Sequence, residues 1–270
     1  MKKKTMWKTV LAIFVAIIHV VPIYITIVAS LKEITDFSSY WILPKKLFFE
    51  NYSIALNNGG MMIAFRNTII ITLVSVILIV FVGAMASYPL ARNQSKLNIF
   101  ITTFILAIMM IPPLSLLVPL YSFMAKLKGI STFWGIIVVH VTFQLPLSIF
   151  LYTNFIKTIP LALDEAATID GCSNFSIFYR IILPLLKPVT ATVIILTGVA
   201  IWNDYQFSLY FLQNPNMKVV TLAISSFFAM TGTNLNAAAA SAVMGILPIT
   251  ILYIALQKYF VKGMVDSAVK

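Results

Sequence analysis

The sequence predicts an all-α integral membrane protein with six transmembrane helices. Of its 270 residues, 60% are hydrophobic and 10% are charged, and the mean hydropathy is +0.97. A soluble domain of this size needs many more charged side chains to cover its surface. Long stretches without Asp, Glu, Lys or Arg recur along the chain, and a bilayer crossing takes about 20 helical residues. Together these observations exclude a soluble globular fold.

The charge and the cysteine count exclude several other classes. A net charge of +11 in so apolar a chain is typical of basic loops beside lipid headgroups, and we expect no nucleic-acid partner. Cys172 is the single cysteine, so the chain forms no internal disulfide, and no Cys/His cluster has metal-ligand spacing. We therefore expect no metal and no redox chemistry.

Four charge-free stretches each predict one membrane crossing: 9–31, 67–91, 97–125 and 129–156. The first of them follows a run of lysines and so imitates a signal peptide. Its apolar part is too long for a signal peptide, however, and no small-residue cleavage site follows it. We interpret it as a retained anchor helix.

The fifth span contains a charge. The charge-free stretch that begins at Pro188 ends at Asn203, which is too short for a full crossing. We therefore expect this helix to continue past Asp204 to about Phe211, with a carboxylate near one face of the membrane.

The sixth span lies in the charge-free stretch 219–257. This stretch is about twice as long as one crossing needs, so it must be interrupted. We place the break at a cluster of polar and glycine residues. The cluster consists of Thr231, Gly232, Thr233 and Asn234. A break there leaves a short apolar segment at 220–230 and a sixth span at 236–257.

Six spans place both termini on one side of the membrane. That side holds 12 of the 19 basic residues: Lys2, Lys3, Lys4, Lys8, Arg92, Lys96, Lys157, Arg180, Lys187, Lys258, Lys262 and Lys270. Cytoplasmic loops are enriched in Lys and Arg, so we expect both termini in the cytoplasm. The bias is moderate, because Lys45, Lys46, Lys126 and Lys128 fall on the outer side.

Common enzyme motifs are missing from the sequence. It contains no GxxxxGK[ST] phosphate loop, no HExxH, no GxSxG and no dinucleotide glycine fingerprint. His19 and His140 lie inside predicted spans with no acid nearby in the sequence, so we interpret each as an interhelical hydrogen-bonding group. We expect no catalytic residue in this chain.

The loop 157–187 is the most informative segment. Pro160 suits the first position of a short helix, and Asp164 and Glu165 suit its early turns, where the helix dipole favours negative charge. Gly171 suits a left-handed residue that ends this helix.

A second helix is expected directly afterwards. Ser173 is a suitable N-cap, and the pattern ends at Pro184. An apolar stripe at helical spacing is formed by Phe175, Phe178, Tyr179 and Ile182. From these residues alone, a docking surface for a partner and a helical hairpin that lies on lipid are equally good interpretations.

The spacing in this loop resembles the EAA motif, EAA-x3-G-x9-I-x-LP, of the permeases of ATP-binding-cassette (ABC) importers. Every specified position matches: Glu165, Ala166, Ala167, Gly171, Ile181, Leu183 and Pro184. A motif with this many fixed positions is far more specific than a lone glycine fingerprint.

The resemblance extends along the whole chain and is to the sugar-importer branch. It includes Asn51 and Tyr52 after Pro44, Arg66-Asn67-Thr68, Pro112 with Pro119-Leu120-Tyr121, Trp202-Asn203-Asp204 and the segment 257–263. It implies the type I ABC importer permease fold. We divide the chain accordingly into an anchor helix with the first external loop at 1–62, a permease core at 63–257 and a cytoplasmic tail at 258–270.

The resemblance also implies a mechanism. Residues 164–171 would form a coupling helix in a cleft of a cytoplasmic ABC ATPase dimer, with Glu165 as its polar contact. Ala166 and Ala167 would be small enough to let the ATPase surface approach closely. ATP and Mg²⁺ would bind to the ATPase, so this chain would hold no cofactor of its own. The residues implied in coupling also comprise Asp164, Asp170 and Gly171 of this helix, and Ile181, Leu183 and Pro184 after it.

Other implied partners are a second permease subunit, which would complete a heterodimer, and an extracellular solute-binding protein that contacts the stretch 212–236. The chain would lie in the bacterial cell membrane and carry a sugar or oligosaccharide, with glycerol phosphate or a polyol as alternatives. Asp204, with Asn203 beside it, is the best candidate for a pathway residue, because a charge inside a span costs about 2.5–3.5 kcal/mol. The open alternative for Asp204 is a helix-end residue near headgroups.

Two other functional classes fit the sequence less well. A stand-alone secondary transporter predicts an internal repeat and paired carboxylates inside the spans, whereas no repeat is evident and Asp204 is the one acid in the predicted spans. A membrane-embedded enzyme predicts clustered His, Asp or Glu in the spans, and two isolated histidines do not form such a cluster.

Overall fold

The computed structural model describes residues 2–57, 60–230 and 234–268. Within these residues the chain is helical, with no strand. The α-helices are α1 (Lys2–Ser30), α2 (Glu50–Asn57), α3 (Met61–Arg92), α4 (Lys96–Met109), α5 (Leu117–Lys126), α6 (Phe133–Thr158), α7 (Ala162–Ile169), α8 (Asn174–Ile177), α9 (Leu183–Leu185), α10 (Lys187–Trp202), α11 (Gln206–Phe211), α12 (Val220–Met230) and α13 (Leu235–Ala268).

The predicted all-α membrane fold with six spans is confirmed. Among the described residues, four helices are long and apolar enough to cross a bilayer: Met6–Ser30, Met61–Arg92, Phe133–Thr158 and Leu235–Gln257. Two bent helix pairs raise the number of candidate spans to six. The bent pairs correspond to the third and fifth spans of the sequence analysis.

The third span is not the single straight helix that we expected over 97–125. Helix α4 ends at Met109, and the path turns by 92° before it continues through Pro113–Lys126. The bend falls at Pro112 and Pro113, because proline lacks the amide hydrogen that a continuous helix needs and disfavours helical geometry in the residue before it.

The fifth span also differs from the expectation. Helix α10 ends at Trp202, and α11 begins at Gln206, so the helix does not continue through Asp204. At its other end, α10 meets the preceding helical segment Asn174–Leu185 at an angle of 74°.

Of the interruption predicted before the sixth span, the structure describes Asn234, which lies outside any helix. Helix α12 covers the short apolar segment expected at 220–230, and α13 begins at Leu235. Of the four residues that we proposed for the break, Thr231, Gly232 and Thr233 lie outside the described residues.

The structure divides into two compact units. Unit 1 comprises Met1–Phe65 and Val220–Pro248, and unit 2 comprises Arg66–Val219 and Ile249–Lys270. Our division at residues 62 and 257, which follows the family resemblance, stays a prediction.

Unit 1 is held by polar contacts to the backbone after α1. The amide of the buried Asn51 donates to the carbonyl oxygens of Ser30 (2.9 Å) and Lys32 (2.7 Å). Asn236 donates to the carbonyl of Glu33 (3.0 Å). Because each bond uses a backbone carbonyl that has no helical partner, these side chains fix the exit of the chain from α1.

Helices α3 and α6 of unit 2 are in close contact. A side chain at Gly83 would collide with Ser148, so glycine permits this approach. The hydroxyl of Ser87 donates to the carbonyls of Gly83 (2.6 Å) and Ile149 (3.1 Å), and that of Ser148 donates to Ile79 (3.3 Å). This contact brings the last turn of α3 next to the last turn of α6, where α7 begins.

Candidate functional site

Helix α7 ends in a Schellman motif centred on Gly171. The Gly171 amide donates to the carbonyl of Thr168, and the Cys172 amide donates to that of Ala167, both at 3.0 Å. Gly171 has a φ angle of +78°, which confirms the predicted left-handed residue. Because no heavy atom lies within 4 Å of a side chain built at this position, the backbone angle alone calls for glycine.

The carboxylate of Asp164 ties α7 to the end of α3. Asp164 Oδ2 lies 2.8 Å from Arg92 Nη2, and Oδ1 accepts hydrogen bonds from Arg92 Nε (3.3 Å) and Tyr88 Oη (2.7 Å). Two oxygens paired with two guanidinium nitrogens are the strong geometry for such a pair. The side chains of Arg92 and Asp164 are 13% and 11% exposed, so the pair is largely removed from water.

Arg92 also holds the end of α6. Its Nη1 donates to the carbonyls of Ile156 (3.2 Å) and Ile159 (3.0 Å) at the helix end, where carbonyls lack the usual i+4 amide. The Ile156 carbonyl also accepts the Ile159 amide (3.1 Å). Three elements, α3, α6 and α7, therefore meet at one guanidinium group. We call Tyr88, Arg92 and Asp164 the α7 anchor.

The opposite face of α7 is exposed and mostly apolar. Ile169 has 86% of its surface exposed, and Leu161 and Leu163 are also exposed. Glu165 and Ala166, two of the EAA residues, lie on the exposed side as well. A short helix that presents large apolar side chains beside an exposed carboxylate has the character of a contact surface.

The other predicted residues of this helix take different positions. Ala167 is buried, so its methyl group lies on the inner face and not on the exposed face that we expected it to share with Ala166. The Asp164 side chain also points inward, where it bonds to Tyr88 and Arg92. Asp170 is exposed just after the last turn.

The second helix of the loop begins as predicted and then departs from the expected pattern. Ser173 caps it by accepting a hydrogen bond from the Ser176 amide (3.4 Å). A π-helical turn, Phe178–Ile182, follows α8 and adds a residue to the repeat. Ile177, Phe178 and Ile182 are buried while Phe175 and Tyr179 are exposed, so the four residues of the predicted stripe are divided between a buried and an exposed side.

The rest of the EAA motif forms the passage from this turn to α10. Ile181 and Leu183 are half-buried, and Pro184 is exposed. They lie just before the 74° bend. The structure thus places the two halves of the motif on two different helices, one before and one after Gly171.

The structure assigns Asp204 to a helix start. Its Oδ1 accepts from the Phe207 amide (3.2 Å), and its Oδ2 accepts from the amide (2.8 Å) and the hydroxyl (2.7 Å) of Ser208. These bonds satisfy the first turn of α11, where a carboxylate is favourable. Asp204 thus lies in the break between α10 and α11, and its bonds stabilise the start of α11.

His140 lies near this carboxylate. Its Nε2 is 3.9 Å from Asp204 Oδ2, and both side chains are nearly buried. This neighbour could not be predicted from the sequence, because the two residues lie in different helical segments. A helix-end role therefore accounts for Asp204, while the pathway role proposed for Asp204 and Asn203 stays a prediction.

The anchor residues Tyr88 and Arg92 were missed in the sequence. We had counted Arg92 only as one of the basic residues in a predicted cytoplasmic loop. The available signal was charge: Arg92 ends a long charge-free span, and the next acid along the chain is Asp164. Among the described residues, no group of three or more His, Cys, Asp or Glu could hold a metal ion.

Comparison with known proteins identifies the family. The family model described as "Binding-protein-dependent transport system inner membrane component" matches residues 79–266, which include the α7 anchor and the whole EAA motif. The chain belongs to this family of ABC importer permeases.

Its relatives include permeases named for sugars. The chain is 44% identical over 263 residues to the melibiose/raffinose/stachyose import permease protein MelC of Bacillus subtilis, with 97% of this chain and 95% of the relative covered. It is 33% identical to the multiple sugar-binding transport system permease protein MsmG of Streptococcus mutans, with 98% and 96% covered. The resemblance to carbohydrate-type permeases is thereby confirmed.

A solved structure shares the fold. A chain of a bacterial ABC transporter involved in the import of the acidic polysaccharide alginate matches with a TM-score of 0.81 at 22% identity, and the match covers 96% of this chain and 98% of that one. At this identity the match supports the permease fold alone.

Proposed function

We propose that this chain is the non-catalytic membrane subunit of an ATP-driven, binding-protein-dependent importer, and that α7 couples it to a cytoplasmic ABC ATPase dimer. The observation that carries this proposal is the two-sided construction of α7. One face is fixed to α3 and α6 through a largely buried ion pair, and the other presents exposed apolar side chains and Glu165. A helix built in this way transmits force from a partner to the spans.

The α7 anchor defines where that force goes. When the ATPase dimer closes on ATP, α7 moves with it and carries the ends of α3 and α6 through Arg92. Such a rigid-body movement switches the spans between inward-facing and outward-facing states. ATP and Mg²⁺ belong to the ATPase in this scheme, and this chain binds neither.

The proposal includes the orientation and the remaining partners. Both termini and α7 lie in the cytoplasm, in line with the bias of basic residues. A second permease subunit completes a heterodimer, and a solute-binding protein delivers the cargo from outside. The names of the relatives support a sugar or oligosaccharide as cargo, and raffinose and melibiose are the first compounds to test.

A substitution at Glu165 tests the coupling role. We expect Glu165→Lys to lower the uptake of radiolabelled raffinose by about fivefold, because the variant places a cation where the partner surface meets a carboxylate. Uptake is measured in cells that produce the whole transporter, and the amount of the chain in the membrane is measured in parallel by immunoblot.

The neutral variant Glu165→Gln is the matched control. It keeps the shape of the side chain and introduces no repulsive charge, so its uptake should lie between those of wild type and Glu165→Lys. Equal uptake by all three proteins, with equal amounts in the membrane, would contradict a role of Glu165 in coupling.

A further inference from the structure

A cavity of about 140 Å³ lies between α4 and α6 in unit 2. It is lined by the second and third turns of α4 and by the last three turns of α6. The Asn98 side chain donates to the Pro89 carbonyl (3.1 Å), which holds the first turn of α4 beside the end of α3. Arg92 joins the end of α3 to the end of α6. The cavity therefore lies at the end of the unit that carries α7, and we call it the α4–α6 cavity.

The α4–α6 cavity is polar near the helix ends and apolar deeper in the membrane. On α6 it is lined by Lys157 and Asn154 in the last two turns and by Phe150 further in. On α4 it is lined first by Thr102 and then by Leu106. Thr102 is the seventh residue of α4, so it lies about 9 Å from the start of the helix. A phospholipid has the same order, with its phosphate at the membrane surface and its acyl chains below.

The charge of Lys157 is not neutralised by the described part of the chain. Its side chain is exposed, and it takes part in none of the ion pairs among the described residues. Between residues 51 and 163 the chain has no Asp or Glu, and this range includes α4, α6 and everything between them. The next acid, Asp164, is paired with Arg92, and Glu165 lies on the exposed face of α7. A negative group in the α4–α6 cavity would therefore meet a cation and no carboxylate of its lining.

The cavity is also lined by a residue with an unused hydroxyl. Thr153 lines the cavity, and its buried hydroxyl has no hydrogen-bond partner among the residues that the structure describes. Helical threonines commonly donate to the carbonyl four residues before them, as Thr102 and Thr142 do, both at 2.8 Å. For Thr153 that carbonyl belongs to Ile149, and it already accepts the hydroxyl of Ser87 (3.1 Å). A buried hydroxyl without a partner is unfavourable, so a ligand that accepts hydrogen bonds suits this cavity.

We propose that the α4–α6 cavity binds the phosphate end of an anionic phospholipid. Lys157 and Asn154 donate to the phosphate oxygens, Thr153 is a further donor, and the acyl chains follow the apolar side chains of α4 and α6. Basic pockets between transmembrane helices are suited to anionic headgroups. The inference rests on the membrane fold of α4 and α6 and does not need the coupling role of α7.

Two features favour an anionic phospholipid over related ligands. A zwitterionic headgroup carries an ammonium group, and the lining of the cavity has no carboxylate to pair with it. A free phosphate ion would satisfy Lys157 and leave the apolar part beside Leu106 and Phe150 unfilled. The combination of one cation, polar donors and an apolar floor therefore selects a lipid such as phosphatidylglycerol.

The test is a lipid titration of the purified complex that contains this chain and its partner subunits. After lipid is removed by washing in a mild detergent, phosphatidylglycerol or phosphatidylcholine with the same acyl chains is added, and native mass spectrometry measures the bound lipid. We expect wild type to prefer phosphatidylglycerol. In Lys157→Gln, the dissociation constant for phosphatidylglycerol should rise about fivefold and the preference should disappear, because the charge is lost. Lys157→Arg keeps the charge and should keep the preference.

Two further variants serve as controls. Lys96→Gln removes an exposed lysine at the start of α4 that does not line the cavity, so its affinity for phosphatidylglycerol should equal that of wild type. Thr153→Val replaces the unused hydroxyl by a methyl group of almost the same volume. It should weaken the binding of phosphatidylglycerol about twofold without lowering the melting temperature of the complex.

Three results would overturn the inference. The first is an equal affinity of wild type and Lys157→Gln for phosphatidylglycerol. The second is an equal loss of affinity in Lys96→Gln, which would assign the effect to the general charge of this membrane face. The third is displacement of the lipid by excess inorganic phosphate, which would assign the cavity to a free ion. Because the titration measures lipid binding alone, its outcome is independent of the uptake measured for Glu165→Lys, and failure of either proposal is recognised separately.

Discussion

Replacing Asp164 by leucine should lower raffinose uptake by about a hundredfold while the chain still inserts into the membrane. The variant leaves the guanidinium of Arg92 largely buried without its carboxylate, and breaking a buried pair in this way costs about 3–5 kcal/mol. Tyr88 loses its acceptor at the same time. With its anchor gone, α7 is held to the spans mainly by the chain on either side and by the buried Ala167, so movement of the ATPase no longer reaches α3.

A double-mutant cycle separates the ion pair from general damage. Arg92→Leu/Asp164→Leu removes both charges together, so the melting temperature of the purified complex should fall less than the two single variants predict by addition. Tyr88→Phe removes one hydrogen bond to a charged group, worth about 1.5–3 kcal/mol, and should give a smaller loss of uptake than Asp164→Leu. Full uptake by Asp164→Leu would show that the α7 anchor does not transmit force.

Replacing Gly171 by valine should lower uptake by at least about tenfold. Each L-residue in a left-handed conformation costs about 1–2 kcal/mol, and a β-branched side chain costs more. Since a Cβ at this position would meet no atom of this chain within 4 Å, we expect the variant to act through the backbone angle. The end of α7 then unwinds or turns, and Ile169 and Glu165 lose their orientation.

Asparagine at the same position is the matched control. Asparagine tolerates the left-handed conformation better than other residues with a side chain, so Gly171→Asn should retain most of the uptake although it is almost as large as valine. If Gly171→Asn and Gly171→Val lose the same activity, size at the surface and not the φ angle would be the cause.

Much of the fold could be predicted because hydropathy and helix signals are local. Sums over about 20 residues are insensitive to the exact boundary, so the spans and the short apolar helix at 220–230 were found. Gly171 was predicted as left-handed because a helix end needs a residue that tolerates this angle, and Ser173 was found as a cap for a similar reason.

The features that could not be predicted are contacts between residues distant in the sequence and irregularities within helices. The bond between Arg92 and Asp164 and the approach of His140 to Asp204 arise from helix packing, and neither is encoded by a local pattern. The π-helical turn after α8 interrupts the expected α-helical repeat, and within it Tyr179 is exposed while Phe178 and Ile182 are buried. The adjacent Pro112 and Pro113 were visible in the sequence, yet a count of apolar residues gives no bend angle.

The central claim, that the exposed face of α7 meets the ATPase, is tested most directly by site-specific photo-crosslinking. A photoreactive phenylalanine derivative is placed at Ile169, which is 86% exposed, and in a second protein at Val118, which is 79% exposed on α5. After irradiation of intact cells, the products are identified by mass spectrometry. The account predicts a crosslink to the ATPase subunit from position 169 and none from position 118. A position 169 that reacts only with lipid, or with a protein outside the cell, would contradict it.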